Sequence, residues 1–177
     1  MKALIFSITT AVLGFLSQNE NSNPKELKTI TYSQTSSSLN DVIEGYLKIK
    51  NALIKSDSQQ TAQLADAFTK TLNSFTLNEK TAAQKATGIQ IAELAKKQTK
   101  LIVSNAGKLD KQRKAFKELS KNIQELITTL GTSQKLYVDF CPMYEGGSTW
   151  ISESKEIKNP YYGAQMLTCG KIKETIE

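Results

Sequence analysis

Apolar residues recur every three or four positions through residues 39–131, in four segments separated by short polar breaks. This period predicts four amphipathic helices, opened by capping residues at Asn40, Asp57, Asn78 and Asp110 and closed by Gly131. The apolar stripe of the third helix is predicted to run through Ala83, Ala86, Gln90, Ile91, Leu94, Leu101 and Ile102. Four such helices with short connections predict a mainly α fold, an antiparallel four-helix bundle.

The pattern changes after residue 131. The stretch "KLYVDF" favours a strand, "EGGS" a turn and "TWIS" a second short strand, and "NPYYG" follows as another turn. The last residues, "TCGKIKETI", are expected to form a short helix. Residues 132–177 are therefore predicted to form a small C-terminal β-hairpin/loop cap that packs on the helical bundle of residues 39–131 as one domain.

The N-terminal residues have a different character. Lys2 precedes an uncharged, mostly apolar run from Ala3 to Leu16, a length typical of a signal peptide and too short for a membrane span of ~20 residues. Residues 1–16 are therefore predicted to be a signal peptide and the polar residues 17–38 a flexible linker. The mature protein is expected to be periplasmic or secreted, without stable membrane insertion.

The positive charge is concentrated in the helical region. Residues 25–131 hold seventeen Lys and Arg against ten Asp and Glu, whereas residues 132–177 hold five against six. Aromatic residues do not alternate with these lysines, as a stacking platform for nucleic acid requires. We therefore interpret these lysines as solvent-exposed helix faces and expect no nucleic-acid partner.

Sulfur is confined to the C-terminal region. Apart from the initiator, the only methionines are Met143 and Met166, and the only cysteines are Cys141 and Cys169, which gives the paired spacings Cys141-x-Met143 and Met166-x-x-Cys169. Thiolate and thioether donors together select Cu(I). Zinc is disfavoured because a structural zinc site needs four Cys or His ligands and the chain has no histidine.

Two alternatives to metal binding remain. A Cys141–Cys169 disulfide would close a loop of about 29 residues and stabilise an exported fold by ~3 to 4 kcal/mol in the chain-entropy model, with the methionines as packing residues. Thiol redox or nucleophilic chemistry is disfavoured, since there is no Cys-x-x-Cys motif and no histidine to act as a base. No catalytic residue is predicted, and the protein is not expected to be an enzyme.

Specific motifs in the last forty residues carry a family resemblance. They are Cys141-Pro142-Met143, a glycine turn, Trp150-Ile151-Ser152, "NPYYG" from Asn159, and "MLTCG" from Met166, after a helix containing "QRKAF". This ending resembles a bacterial domain family of formally unknown function. That family occurs as small exported proteins and as an extension on periplasmic adaptor subunits of copper and silver efflux pumps.

The resemblance implies periplasmic handling of Cu(I) or Ag(I), with Cys141, Met143, Met166 and Cys169 as the ligands. It also implies a partner, either the periplasmic adaptor of a metal efflux pump or another copper protein. Some relatives carry histidine immediately before Cys-Pro-Met, where this chain has Phe140, so a Cu(II) or mixed-ligand site is not expected. Trp150, Tyr161, Gln112, Arg113 and Phe116 are expected to pack the cap on the helices rather than to bind metal.

Overall fold

The structure is a computed structural model that describes residues 36–177. The predicted signal peptide, residues 1–16, and residues 17–35 of the predicted linker lie outside this range. The described part begins with four helices: α1 (Leu39–Ile54), α2 (Ser58–Asn73), α3 (Ala82–Ser104) and α4 (Leu109–Leu130). Each helix packs on the next along the chain, and α1 also contacts α4. The prediction of a mainly α protein is confirmed.

Three of the four predicted helix caps are wrong by two or three residues. The α1 cap is Ser38 rather than Asn40, and its hydroxyl accepts from Asp41 N while the Asp41 carboxylate accepts from Ser38 N. The α3 cap is Thr81 rather than Asn78. In both helices the residue three positions after the true cap closes a reciprocal capping box, which an asparagine cap at the predicted positions would not form.

The limits of the other two helices follow the sequence more closely. Asp57 caps α2 by accepting from Gln60 N at 2.8 Å, as predicted. The predicted cap Asp110 is wrong by two residues, because Lys108 precedes the first helical residue, Leu109, and no side chain caps the first turn of α4. The helix ends at Gly131 as predicted, where φ is +74°, a conformation that glycine adopts without the cost it has for other residues.

The predicted apolar stripe of α3 is only partly buried. Ile91 and Ile102 lie in the core, but Leu94 and Leu101 are 51% and 43% exposed. The predicted stripe members Ala83, Ala86 and Gln90 are exposed as well. The small residues Gly88, Ala92 and Ala95 share the buried face with the two isoleucines, so α3 approaches its neighbours closely and leaves its two leucines exposed.

After α4 the chain forms a three-stranded antiparallel sheet. Its strands are β1 (Leu136–Cys141), β2 (Ser148–Ser152) and β3 (Lys171–Ile176), in the spatial order β2-β1-β3. The predicted hairpin is present as β1 and β2. The predicted C-terminal helix is wrong: residues 171–176 pair with β1, and a 3₁₀ turn at Gly163–Gln165 precedes them. An isolated helix of that length has little stability, whereas the free edge of β1 supplies hydrogen-bond partners for the backbone of these residues.

The sheet and the helices share one hydrophobic core. Buried Tyr46 of α1 joins them, because its hydroxyl bonds Ser120 Oγ of α4 at 2.8 Å and accepts from Ile151 N of β2 at 3.1 Å. The Tyr46 ring also stacks on Phe116 at 5.1 Å between centroids. Among residues 36–177, no helix has the length and apolar character required to cross a bilayer.

Candidate metal centre

The two cysteines lie next to each other where the loop that precedes β3 packs against the sheet. Cys141 is the last residue of β1, pairs with Ser148 of β2 and is fully buried in the core. Cys169 stands two residues before β3 and is half-buried. Both are free thiols, and their Sγ atoms lie 3.1 Å apart.

The two methionines lie on adjoining segments with their side chains at the surface. Met143, two residues after Cys141, is 62% exposed, and Met166, three residues before Cys169, is 38% exposed. The Tyr162 hydroxyl donates to Met143 O at 3.1 Å, which ties the first sulfur-bearing segment to the second. The structure thus brings the cysteine sulfurs into contact and places the methionines at the solvent side of the same region.

The loop that carries Met166 and Cys169 is held in place by Asn159, which is fully buried. Its side-chain amide donates to Cys169 O at 2.7 Å, and its backbone N–H donates to Leu167 O at 2.7 Å. Its side-chain oxygen accepts from the N–H groups of Tyr161 and Tyr162. Asn159 thus provides hydrogen-bond partners for backbone groups at the start and at the end of this loop. The turn predicted at Asn159 does return the chain towards Cys141.

Two aromatic residues pack this region on the helices as expected. Trp150 and Tyr161 are each 1% exposed, and their rings meet edge to face at 5.9 Å. The Tyr161 ring also lies 6.0 Å from Phe116 of α4, and its hydroxyl donates to Thr149 O at 2.5 Å. Trp150 additionally crowds Gly170, where an added Cβ would come within 2.9 Å of the indole. Glycine therefore permits the close approach of the Cys169 segment to the sheet.

The residues of "QRKAF" divide between two tasks. Arg113, on α4, donates to Pro160 O at 3.1 Å and to Ser56 Oγ at 3.0 Å, so it fixes the loop to the helices as expected. The expectation for Gln112 is wrong, since its side chain bonds Ser58 and Ile102 O within the helical part. The reason is helical periodicity, which turns neighbouring side chains by about 100° from each other.

The contact between the thiols affects the protonation of Cys169. The pKa of Cys169 is raised, first because its hydrogen bond with Cys141 favours the neutral thiol and then because of desolvation. A metal that takes both sulfurs as thiolates must displace their protons, so binding at this pair depends on pH.

Sequence reasoning missed a buried acid beside the candidate centre. Asp139 of β1 is fully buried, and neither carboxyl oxygen has a hydrogen-bond partner among the described residues. Burial raises its pKa to about 7, although nearby Lys50 and its cross-strand neighbour Trp150 oppose the shift. Buried Lys50 pairs with Glu153 at the end of β2. The available signal was the strand period, which puts Asp139 and Cys141 on the same face.

Across the described residues, no group of three or more His, Cys, Asp or Glu side chains is placed to hold a metal ion. A metal centre at Cys141 and Cys169 would thus need methionine sulfur or a ligand from outside the chain to exceed two donors.

Comparison with known proteins gives a family and nothing more specific. No curated protein and no solved structure matches the chain. Residues 42–135, more than half of the chain, match the family described as "Protein of unknown function (DUF3347)". The matched region covers the helices from Val42 and stops just before β1, so the cysteine and methionine pairs lie outside it. The chain belongs to this DUF3347 family.

Proposed function

We propose that the protein is an exported carrier or sequestering protein for Cu(I), with Ag(I) as a second cargo, acting beside a metal efflux system. In this proposal the four helices form an antiparallel bundle, and the C-terminal sheet and its loops present Cys141, Met143, Met166 and Cys169 to one ion. The supporting observation is the pair of free thiols, 3.1 Å apart, with an exposed methionine on each adjoining segment.

The donor set fits this cargo by its chemistry. Cu(I) prefers polarizable sulfur and accepts from two to four donors without strict geometry. Cu(II) favours imidazoles and structural zinc needs four Cys or His ligands, whereas this chain has two cysteines and no histidine. The buried Cys141 thiolate and its Cys169 partner would hold the ion. The exposed thioethers of Met143 and Met166 would receive and release it, because neutral thioethers exchange more readily than thiolates. No covalent bond to carbon is made or broken in such a transfer.

The partner and location proposed here follow from the resemblance of the ending to extensions of periplasmic efflux adaptors. A periplasmic adaptor of a metal efflux pump, or another copper protein, would supply or accept the ion. Export would place the protein in the periplasm or outside the cell.

An anaerobic titration of the reduced protein with Cu(I) against a chromophoric chelator tests the proposal. We expect the wild type to retain one equivalent, the Cys141→Ser/Cys169→Ser variant to retain none, and Met166→Leu to bind but to transfer the ion more slowly. The matched control is Leu167→Met, which adds a thioether beside Met166 on the same loop. Equal chelator competition by the wild type and the double-serine variant would overturn the proposal.

The close contact of the thiols also supports a second candidate, a helical interaction module locked by a Cys141–Cys169 disulfide. Oxidation would join the two sulfurs, release two protons and pass two electrons to a disulfide oxidant. Mass spectrometry after alkylation of the protein isolated from its native compartment separates the two candidates. Two alkylated cysteines support the carrier, and none supports the locked module.

A further inference from the structure

A groove of about 420 Å³ runs between α3 and α4, away from the sulfur pair. Leu101 and Ala115 supply its apolar lining, Gln98 and Asn105 add amide groups, and the charged lining residues are Lys111, Lys114 and Glu118. Leu94 lies on α3 seven residues before Leu101, two helical turns along the same face. The exposed fractions of these two leucines, 51% and 43%, are high for such large apolar side chains. The residues that line the cavity are called the α3–α4 groove, and Leu94 continues its apolar side along α3.

The surroundings of the α3–α4 groove are basic. Lys97, Lys100, Lys108 and Lys111 are exposed, and within residues 36–177 none of them forms an ion pair. Of the neighbouring acidic side chains, Glu93 pairs with Lys96 and Glu118 pairs with Lys121, whereas exposed Asp110 forms no ion pair within residues 36–177. The four lysines outnumber this one unpaired acid, so the groove combines apolar anchoring sites with an excess of positive charge.

This combination decides between possible occupants. A second copy of the chain would bring the same lysines face to face, which costs free energy in a dry contact. Binding to a bilayer would require a convex apolar surface on the protein, whereas Leu101 and Ala115 line a concave one. An amphipathic helix with glutamate or aspartate beside its apolar stripe satisfies both features. We propose that the α3–α4 groove docks an acidic amphipathic helix of a partner protein.

The groove is connected to the loop that carries Met143. Lys114, which lines the groove, lies 3.9 Å from a Glu145 carboxylate oxygen, and Lys117 donates to Glu145 O at 3.1 Å. A partner helix held in the groove would thus lie next to that loop, and its carboxylates would compete for Lys114. The docking proposal does not depend on metal binding, since none of its residues is a candidate ligand.

The test uses the full chain and a designed probe, an Ala-based helical peptide of about four turns with a leucine stripe flanked by glutamates. Fluorescence anisotropy measures affinity, and backbone NMR shifts map the contact. We expect binding that weakens with salt, with shifts confined to α3, α4 and the Glu145 loop. Leu101→Gln and Lys111→Glu should each weaken binding about tenfold.

Matched variants and probes make the outcome decisive. Ile89→Gln changes another exposed apolar residue of α3, and Lys55→Glu reverses the charge of an exposed lysine on another part of the surface. Neither should alter peptide affinity, and a peptide with lysines in place of its glutamates should not bind. Absence of binding, or equal weakening by the control variants, would overturn the proposal. So would groove-dependent binding to phosphatidylglycerol vesicles without binding to the acidic peptide.

Discussion

The two cysteines touch through their sulfur atoms but belong to different kinds of structure. Cys141 ends a strand that has a neighbour on each side, and it has no exposed surface. Cys169 ends a loop that leaves Met166 and Leu167 more than a third exposed. The buried side chain of Asn159 and the missing Cβ of Gly170 keep that loop against the sheet.

This difference suggests how a sulfur site here would open. The Cys141 segment cannot move without disrupting the core, whereas the Cys169 segment can swing if a few contacts are released. Movement of the Cys169 segment would therefore open the site, and the exposed thioethers of Met143 and Met166 would receive and release the metal. Substitutions in one segment that leave the other intact should therefore separate the roles of the two segments.

Removal of the Asn159 side chain should have the largest effect. Asn159→Ala leaves Cys169 O and the N–H groups of Tyr161 and Tyr162 without their partner in a buried place, and we expect a loss of about 2 to 4 kcal/mol in the free energy of unfolding. Urea unfolding measures the change. The control Asn73→Ala alters an exposed residue at the end of α2 and should change stability by less than about 0.5 kcal/mol. Equal effects would show that Asn159 does not hold the loop.

Substitution of Gly170 should be the next most harmful change. In Gly170→Ala the new Cβ would lie 2.9 Å from the Trp150 ring and 3.2 Å from Phe140 O, at a φ of +153°. We expect a cost of about 2 to 3 kcal/mol. At Gly146, φ is +76° but no atom lies within 4 Å of the added Cβ, so Gly146→Ala should cost only about 1 kcal/mol. Thermal unfolding of the two variants separates the two costs, because Gly170→Ala adds steric crowding to backbone strain and Gly146→Ala adds backbone strain alone.

Asp139 should make stability depend on pH. Because its folded pKa of about 7 lies above the ordinary value of 3.8, the folded state retains this proton more tightly than the unfolded state. Its stabilising contribution is complete below pH 3.8 and is lost as the pH rises towards 7. Asp139→Asn should remove that loss and stabilise the fold above pH 7 by about 1 to 2 kcal/mol.

Denaturant titrations at several pH values test this prediction, with Asp110→Asn at an exposed position as the control. Only the Asp139 variant should flatten the profile. A profile for Asp139→Asn that falls with pH as steeply as that of the wild type would show that the buried carboxyl is not responsible.

The smallest effect concerns thiol reactivity. Cys169 is half-buried and Cys141 fully buried, so iodoacetamide should modify Cys169 first and Cys141 only after opening of the fold. Since the pKa of Cys169 is raised by its hydrogen bond with Cys141, its reaction at neutral pH should be slower than that of a free peptide thiol. In Cys141→Ser that sulfur contact is removed, and the rate at Cys169 should increase. Modification of Cys141 before Cys169 would reverse the proposed order of access.

The helical half of the molecule was largely predictable because its signals are local. The 3.6-residue period and the terminal Gly131 located four helices, but of the four predicted caps only Asp57 is the observed one. The face of α3 was harder, because a stripe of leucines is normally buried. Here, small residues at Gly88, Ala92 and Ala95 let neighbouring elements approach, which depends on tertiary packing and leaves Leu94 and Leu101 outside.

The sheet region was predictable in its residues and less so in its topology. The hairpin of β1 and β2 follows from strand-forming residues around a glycine turn. Strand β3 depends on pairing with β1 at a distance in sequence, and local propensity could not reveal it. The cysteine contact likewise arises from long-range pairing, whereas the motif residues that form it were identifiable in advance. The buried acid at Asp139 was missed although the strand period puts it on the face of Cys141, because acidic residues are rarely buried and an exposed position was the natural expectation.

If sulfur from both segments binds one Cu(I), the metal must have more than two sulfur neighbours. Copper K-edge X-ray absorption on the reduced protein, loaded with one equivalent of Cu(I), measures this number. We expect a first shell of sulfur alone, with more than two sulfur atoms in the wild type and one fewer in Met166→Leu. A shell dominated by nitrogen or oxygen, or an unchanged sulfur count in the Met143→Leu/Met166→Leu variant, would contradict the four-sulfur site.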